Sequence, residues 1–173
     1  MNLPRVCSHL CVADVYDSAV PWPSGVLAMP LTRHTDARGF FMEVVRFTSF
    51  AERGFSAAQV SLSETVAGVT KAFHFHRCQT DLFCPIDGRF RIVLIDGRCE
   101  SSTFGQGFSV YTDAERPFLL RIPPGVAHGY RVLGALPARM LYIMDREYDP
   151  SDEYRVDWDD PAVAFPWGDD NSA

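Results

Sequence analysis

The chain has 173 residues, 47% of them hydrophobic and 13% aromatic, which describes a single globular domain able to bury a core without disulfides and excludes a disordered chain. A net charge of -6 leaves no broad basic surface for nucleic acid or an anionic membrane. No apolar run reaches the roughly 18 residues of a membrane span, and the N-terminus has no basic stretch followed by an apolar one, so the chain is expected in the cytoplasm.

In chain order, residues 1–25 form an N-terminal arm closed by the Pro21-Trp22-Pro23 breaker. A barrel core is expected over 26–147, opening with a strand from Val26 to Leu31. The Thr35-Asp36-Ala37-Arg38-Gly39 turn leads into a longer strand, rich in Phe and Val, from Phe40 to Thr48. Ser49 and Glu52, with Gly54 soon after, have capping-box spacing and predict one short helical turn. From Ala58 to Glu64, Val60 and Leu62 alternate with Gln59, Ser61 and Ser63, the period of a half-buried strand. A hairpin is expected over Gly68 to Ile86. Strands follow at Arg89 to Ile95, Leu119 to Ile122, Gly129 to Leu133 and Met140 to Met144, with turns at Asp87-Gly88 and Asp96-Gly97. The tail, 148–173, is acidic and aromatic, and should pack outside the barrel. About ten short strands with so little helical periodicity predict an all-β fold, an antiparallel β-barrel or jelly roll with few short helical turns.

The five cysteines, Cys7, Cys11, Cys78, Cys84 and Cys99, are odd in number and follow no disulfide or zinc-finger spacing, as suits a reducing compartment. Cys7-x-His9-x-Cys11 is half a metal site without a second half, and structural zinc needs four converging ligands.

Chemistry concentrates between Gly68 and Gly88. Alternate side chains of an extended strand point to opposite faces, so His74 and His76 share one side while Phe73 and Phe75 share the other. A polar corner, Arg77 to Thr80, turns the chain and returns Asp81 toward the histidines. Further on, Pro123-Pro124-Gly125-Val126-Ala127-His128 offers a third imidazole just after a Pro/Gly corner. Plainer readings stand beside these: His76 as a hydrogen-bonded core histidine, Asp81 as a surface ion pair with Arg77, Arg89 or Arg91, Arg38 as a solvated turn residue, and Tyr142 and Tyr148 as wall aromatics.

Two stretches resemble the cupin signatures. Glycine, five residues, His-x-His, four residues, an acid, six residues and glycine describe Gly68 to Gly88, with Asp81 where that family usually has Glu. Pro-x-Gly-x-x-His is met by Pro123, Gly125 and His128. In metal-binding cupins the matching residues, here His74, His76, Asp81 and His128, hold one divalent ion such as Fe, Mn, Ni or Zn inside a small antiparallel barrel. Over residues 26–167 the chain also resembles the dTDP-4-dehydrorhamnose 3,5-epimerases, cupins of nucleotide-sugar metabolism. The matching text is Asp36-x-Arg38-Gly39-x-Phe41-x-Glu43, Gln59-x-Ser61-x-Ser63, Gly68-Val69 with His74-Phe75, Ser102-Thr103-Phe104-Gly105, Ile122 to Tyr130, Tyr142, Tyr148-Asp149-Pro150, Glu153 and Trp158-Asp159-Asp160-Pro161.

That resemblance implies His74 as the general base beside a ketone, Tyr142 as the acid on the opposite face and His128 as a pocket histidine. It implies substrate contacts from Arg38 and Lys71 at a diphosphate, from Glu43 and Gln59 on the nucleotide side, from Tyr148 against the base, and from Phe41. It also implies a homodimer in which Arg38 serves the partner's pocket. Two departures stand out: Asp81 falls where the family has an enolate-binding Lys, and His76 where it has Gln. The family's C-terminal segment, whose Asp orients the catalytic histidine, is not matched, which leaves Asp169 and Asp170 as candidates. Three functions are carried forward: an epimerase or isomerase of a nucleotide-activated 4-keto-6-deoxy sugar, with or without a metal; a metal-dependent oxygenase, lyase or isomerase of a small polar substrate; and a catalytically silent sugar-nucleotide binder.

Overall fold

The computed structural model describes residues 10–13, 17, 19–51, 54–112 and 115–168, the first four as backbone only. Expectations at Cys7, His9, the Cys11 side chain, Glu52, Asp169 and Asp170 lie outside these residues. Two sheets carry the fold. One has the strand order β1 (Leu10–Ala13), β9 (Gly107–Tyr111), β8 (Arg89–Asp96), β11 (Val126–Leu133), β6 (Thr70–Phe75) and β13 (Tyr154–Arg155). The other runs β2 (Leu27–Pro30), β10 (Phe118–Ile122), β7 (Asp81–Asp87), β12 (Ala138–Met144) and β5 (Gln59–Thr65). A ribbon of β3 (Arg33–Asp36) and β4 (Gly39–Met42) stands apart, and one helical turn, α1 (Thr48–Ala51), follows it. Every pairing is antiparallel except β1 with β9. This is the expected jelly roll. No described helix is long and apolar enough to cross a membrane.

Alternation packs the interior from both sheets: Ile92 and Leu94 of β8, Phe108 of β9, Tyr130 of β11, Phe83 of β7, Leu120 of β10 and Met140 of β12 form one buried cluster. The outer face of the six-stranded sheet, Phe73, Phe75, Val93 and Ile95, is roofed by Val163, Phe165 and Trp167 of the tail. Arg91, buried beneath that roof, donates to the Trp167 carbonyl and to Ser109 Oγ, and Arg131 donates to the Gly168 carbonyl at 3.0 Å. Phe50 and Phe55 cover Leu82, Cys84, Leu119 and Ile143 on the outer face of the other sheet.

Four expectations change. The run from Gly68 to Ile86 is not a hairpin, because β6 and β7 lie in different sheets and the Arg77–Thr80 corner crosses between them. Asp81 to Pro85 is buried throughout, so β7 needs a neighbour on each side, and β10 and β12 supply them. The strand expected from Phe40 to Thr48 stops at Met42, where its partner β3 ends. Strand β9 has no clear signal because its five residues follow a run of turns, and β11 starts at Val126 rather than Gly129, which places His128 inside a strand. Finally, β5 is turned round: Gln59, Ser61, Ser63 and Thr65 face inward, while Val60 and Leu62 face out, 57% and 63% exposed.

Candidate active site

The inward faces of β6 and β11 meet the inward faces of β7, β12 and β5 at one end of the sandwich. His74 pairs in register with His128, and their rings lie 4.1 Å apart. Across the gap, Tyr142 pairs with Phe83 and Met144 with Asp81, which aligns Tyr142 with the other wall. His74, His76, Asp81 and His128 each offer a ligand atom within 4.8 Å of all the others. The four residues singled out by spacing therefore converge, and the plainer reading of Asp81 as a surface ion pair is excluded by its 3% exposure. His76 is both a member of the cluster and a hydrogen-bonded core residue.

Close backbone approach makes this convergence possible. A Cβ on Gly129 would lie 2.3 Å from the Cβ of Ala72 on β6, so only glycine lets β11 come in at this level. The register slips there: His128 faces His74, but Tyr130 faces Lys71, giving β6 one extra residue. That bulge turns Lys71 onto the side of Tyr130, so Lys71 borders the same cleft as His74 although strict alternation puts residues three apart on opposite faces.

Two ring orientations are fixed by backbone carbonyls. His128 Nδ1 donates to Val126 O at 3.0 Å and His76 Nδ1 to Asp152 O at 2.9 Å, since a carbonyl can only accept. Both rings therefore turn Nε2 inward, to Asp81 Oδ2 at 3.1 Å from His128 and 3.6 Å from His76. Gln79 donates to Asp81 Oδ1 at 2.7 Å and its amide nitrogen lies 3.3 Å from His76 Nε2, whereas His128 Nε2 is buried without a well-directed hydrogen bond. Asp152 also accepts from the backbone amides of Arg77, Cys78 and Gln79, which pins the corner.

Burial, helped by the adjacent His128 ring, holds the His74 imidazole well below its ordinary value of 6.5, with the Asp81 carboxylate pulling the other way. Burial would raise the Asp81 carboxyl, but the three imidazoles around it, His128 foremost, keep it below the usual carboxylate value. Burial pushes the Tyr142 phenol far above the ordinary tyrosine range. At neutral pH the set is thus a neutral His74, an ionised Asp81 and a protonated Tyr142.

A cleft of about 500 Å³ opens beside these groups, bordered by Lys71, His74, Tyr130, Tyr142, Glu153 and Arg155 among others. A smaller lobe of about 190 Å³ shares His74, Tyr142 and Glu153 with it and adds Gln59, Gln79, Asp81 and Tyr148. Gln59 accepts from the Tyr148 amide at 2.9 Å. Arg38 and Phe41 lie instead on the β3–β4 ribbon beside another hollow, Arg38 paired with Asp36 and Glu43 with Arg46, so these three do not reach this cleft within the chain. Gln79, Asp152, Arg155 and the Thr65 hydroxyl had no signal in the sequence, whereas Glu153 and Tyr130 stood in the text matching the epimerases without a role, Tyr130 at an inward position one alternation beyond His128.

The sequence profile of the dTDP-4-dehydrorhamnose 3,5-epimerase family matches residues 23–173. The spore coat polysaccharide biosynthesis protein SpsL of Bacillus subtilis (strain 168) is 43% identical over 145 residues, 83% of this chain and 95% of SpsL. The crystal structure of a dTDP sugar isomerase from Desulfovibrio desulfuricans G20 superposes with a TM-score of 0.79 at 27% identity, over 87% of this chain and 97% of that one. The dTDP-6-deoxy-D-glucose-3,5-epimerase RmlC of Legionella pneumophila, solved in complex with dTDP-4-keto-L-rhamnose, superposes with a TM-score of 0.74 at 28% identity, over 83% of this chain and 78% of that one.

Proposed function

The chain belongs to the dTDP-4-dehydrorhamnose 3,5-epimerase family, and on that premise we propose that it epimerises a dTDP-linked 4-keto-6-deoxy sugar, moving protons at the carbons beside the ketone. One observation carries this reading: His74 and Tyr142, from strands of opposite sheets, border one cleft with their proton affinities pushed apart. His74 takes the proton from the sugar carbon. The Asp81 charge, within 4.8 Å, offsets the imidazolium that forms, which is a use for the carboxylate the family's Lys position has gained. Tyr142 returns a proton from the opposite wall. Lys71 and Arg155 on the larger lobe suit the diphosphate, and Gln59 and Tyr148 on the smaller one suit the nucleoside.

In this reading the enzyme is a cytoplasmic homodimer. The unpaired Cys78, Cys84 and Cys99 fit a reducing compartment. The outward Val60 and Leu62 of β5 offer an apolar face to a second copy, whose cleft Arg38, Phe41 and Glu43 would then serve. Incubation with dTDP-4-keto-6-deoxyglucose in D₂O tests the activity: deuterium at C3, C5 or both is expected, and a substrate returned with neither position labelled would contradict it.

A second reading, that the reaction is metal-assisted, is favoured by the inward Nε2 of His128. An imidazole lone pair 3.1 Å from a carboxylate oxygen is repulsive unless a proton or a cation stands between them. The donor set fits a divalent ion such as Fe, Mn, Ni or Zn, which His74, His76, Asp81 and His128 would hold. Such an ion supplies a Lewis acid for the ketone oxygen. His74 cannot then also be the base. Elemental analysis of protein purified without a metal-binding tag separates the two: about one ion per chain, lost in His76→Ala, supports the metal, and a metal-free active enzyme removes it.

A further inference from the structure

Behind Tyr142 stands a group of hydroxyls with no part in the proton transfers between His74, Tyr142 and the sugar. Tyr142 OH lies 3.0 Å from Tyr130 OH and 3.0 Å from Ser63 Oγ. Tyr130 OH lies 3.0 Å from Thr65 Oγ1 and 3.4 Å from Ser63 Oγ. Tyr130 is 2% exposed and Thr65 3%, so these contacts are shielded from bulk water, yet the Tyr130 side chain borders the cleft that Tyr142 borders.

Counting protons gives the cluster a direction. Each hydroxyl has one proton to donate and can accept twice. If Tyr142 is to aim its proton at the substrate, neither Ser63 nor Tyr130 can receive it, so both must donate to the Tyr142 oxygen. Tyr130 then has an empty acceptor side, and Thr65 Oγ1 fills it. The arrangement that leaves no clash runs Thr65 to Tyr130 to Tyr142 to cleft, with Ser63 joining at Tyr142.

We propose that Tyr130 is a positioning residue for proton delivery: its hydroxyl donates to the Tyr142 oxygen, turns the Tyr142 proton toward the sugar, and stabilises the negative charge left on that oxygen when the proton departs. The inference rests on the epimerase reading. In the step, the Tyr142 O–H bond breaks as a C–H bond forms at the carbon beside the ketone, and the electron pair stays on the phenolate oxygen. Hydrogen bonds from Tyr130 and Ser63, already in place, meet that charge in the way preorganised donors meet an oxyanion. Water in the cleft returns the proton to Tyr142 between turnovers, while His74 gives its own to water.

The substitution Tyr130→Phe removes the donor and keeps the ring, which packs edge-on against Phe90 with centroids 5.2 Å apart. With dTDP-4-keto-6-deoxyglucose in D₂O, kcat for epimerised product should fall about ten- to a hundredfold with KM within about twofold, less than the roughly 10²–10³ of a lone preorganised donor because Ser63 still donates to Tyr142. Deuterium wash-in to recovered substrate should stay within about threefold, because proton abstraction by His74 does not use Tyr130. The ratio of exchange to product therefore rises. Thr65→Val, which leaves Tyr130 without its own donor, should shift the ratio the same way to a smaller extent. Damage to packing would lower exchange and product together, and that result overturns the proposal, as does a Tyr130→Phe enzyme with unchanged turnover. Wild-type protein that gives neither exchange nor product sinks the epimerase reading itself, and this inference with it.

Discussion

In the proposed epimerisation, His74 serves as the base because of where it sits. Half-buried 4.1 Å from a second imidazole, it is kept neutral well below pH 6.5, and only the neutral ring can accept a proton. Activity should therefore be complete above the His74 pKa and fall as pH drops through it, so the acidic limb of kcat/KM should lie below 6.5. A limb at or above that value in a pH–rate profile would contradict the assignment. Asp96 is the matching case for stability. It is fully buried and held at about 2 by Arg98, Ser101 and Thr103, against the burial that alone would raise it. A carboxyl lowered from 3.8 stabilises the fold above that value and loses its contribution as pH falls through about 2. Asp96→Ala strands the half-buried donors Arg98, Ser101 and Thr103 and should cost about 1–3 kcal/mol at neutral pH, measured by denaturant unfolding.

At the scale of elements, the β6–β11 approach decides the site. Gly129→Ala forces a Cβ into Ala72 and should cost about 1–3 kcal/mol, with a loss of activity larger than the loss of stability because His74 and His128 part. Circular dichroism melts and turnover, measured together, check this. The same pair of strands shows how far the sequence could be read. Alternation is a local rule, so His74 and His76 on one face, with Phe73 and Phe75 on the other, were legible. The motif spacing that joined them to Asp81 and His128 was legible too. Which sheet a strand joins is not local, so β6 and β7 read as a hairpin. The bulge that turns Lys71 toward His74 leaves no mark in the residues. Strand β5 misled for another reason: the interior it faces is a polar cleft, so its Ser and Gln side is the inner one.

Across the molecule as a whole, the tail sets the shape of the cleft. The tail pairs β13 against β6, brings Glu153 and Arg155 to the cleft wall, and is anchored through Phe165 and Trp167. Trp167→Ala should cost about 3–5 kcal/mol, seen as a lowered thermal midpoint, and should weaken nucleotide-sugar binding. If the Val60 and Leu62 face meets a second copy, Leu62→Glu should halve the mass measured by light scattering, and unchanged mass would remove β5 from the interface. Solvent deuterium exchange in His74→Asn and Tyr142→Phe decides whether a base on one sheet and an acid on the other share the proton traffic. His74→Asn should lose exchange and product alike by about 10²- to 10⁴-fold, while Tyr142→Phe loses product and keeps exchange. Exchange that survives in His74→Asn would remove His74 as the base and with it the division of proton transfer between the two sheets.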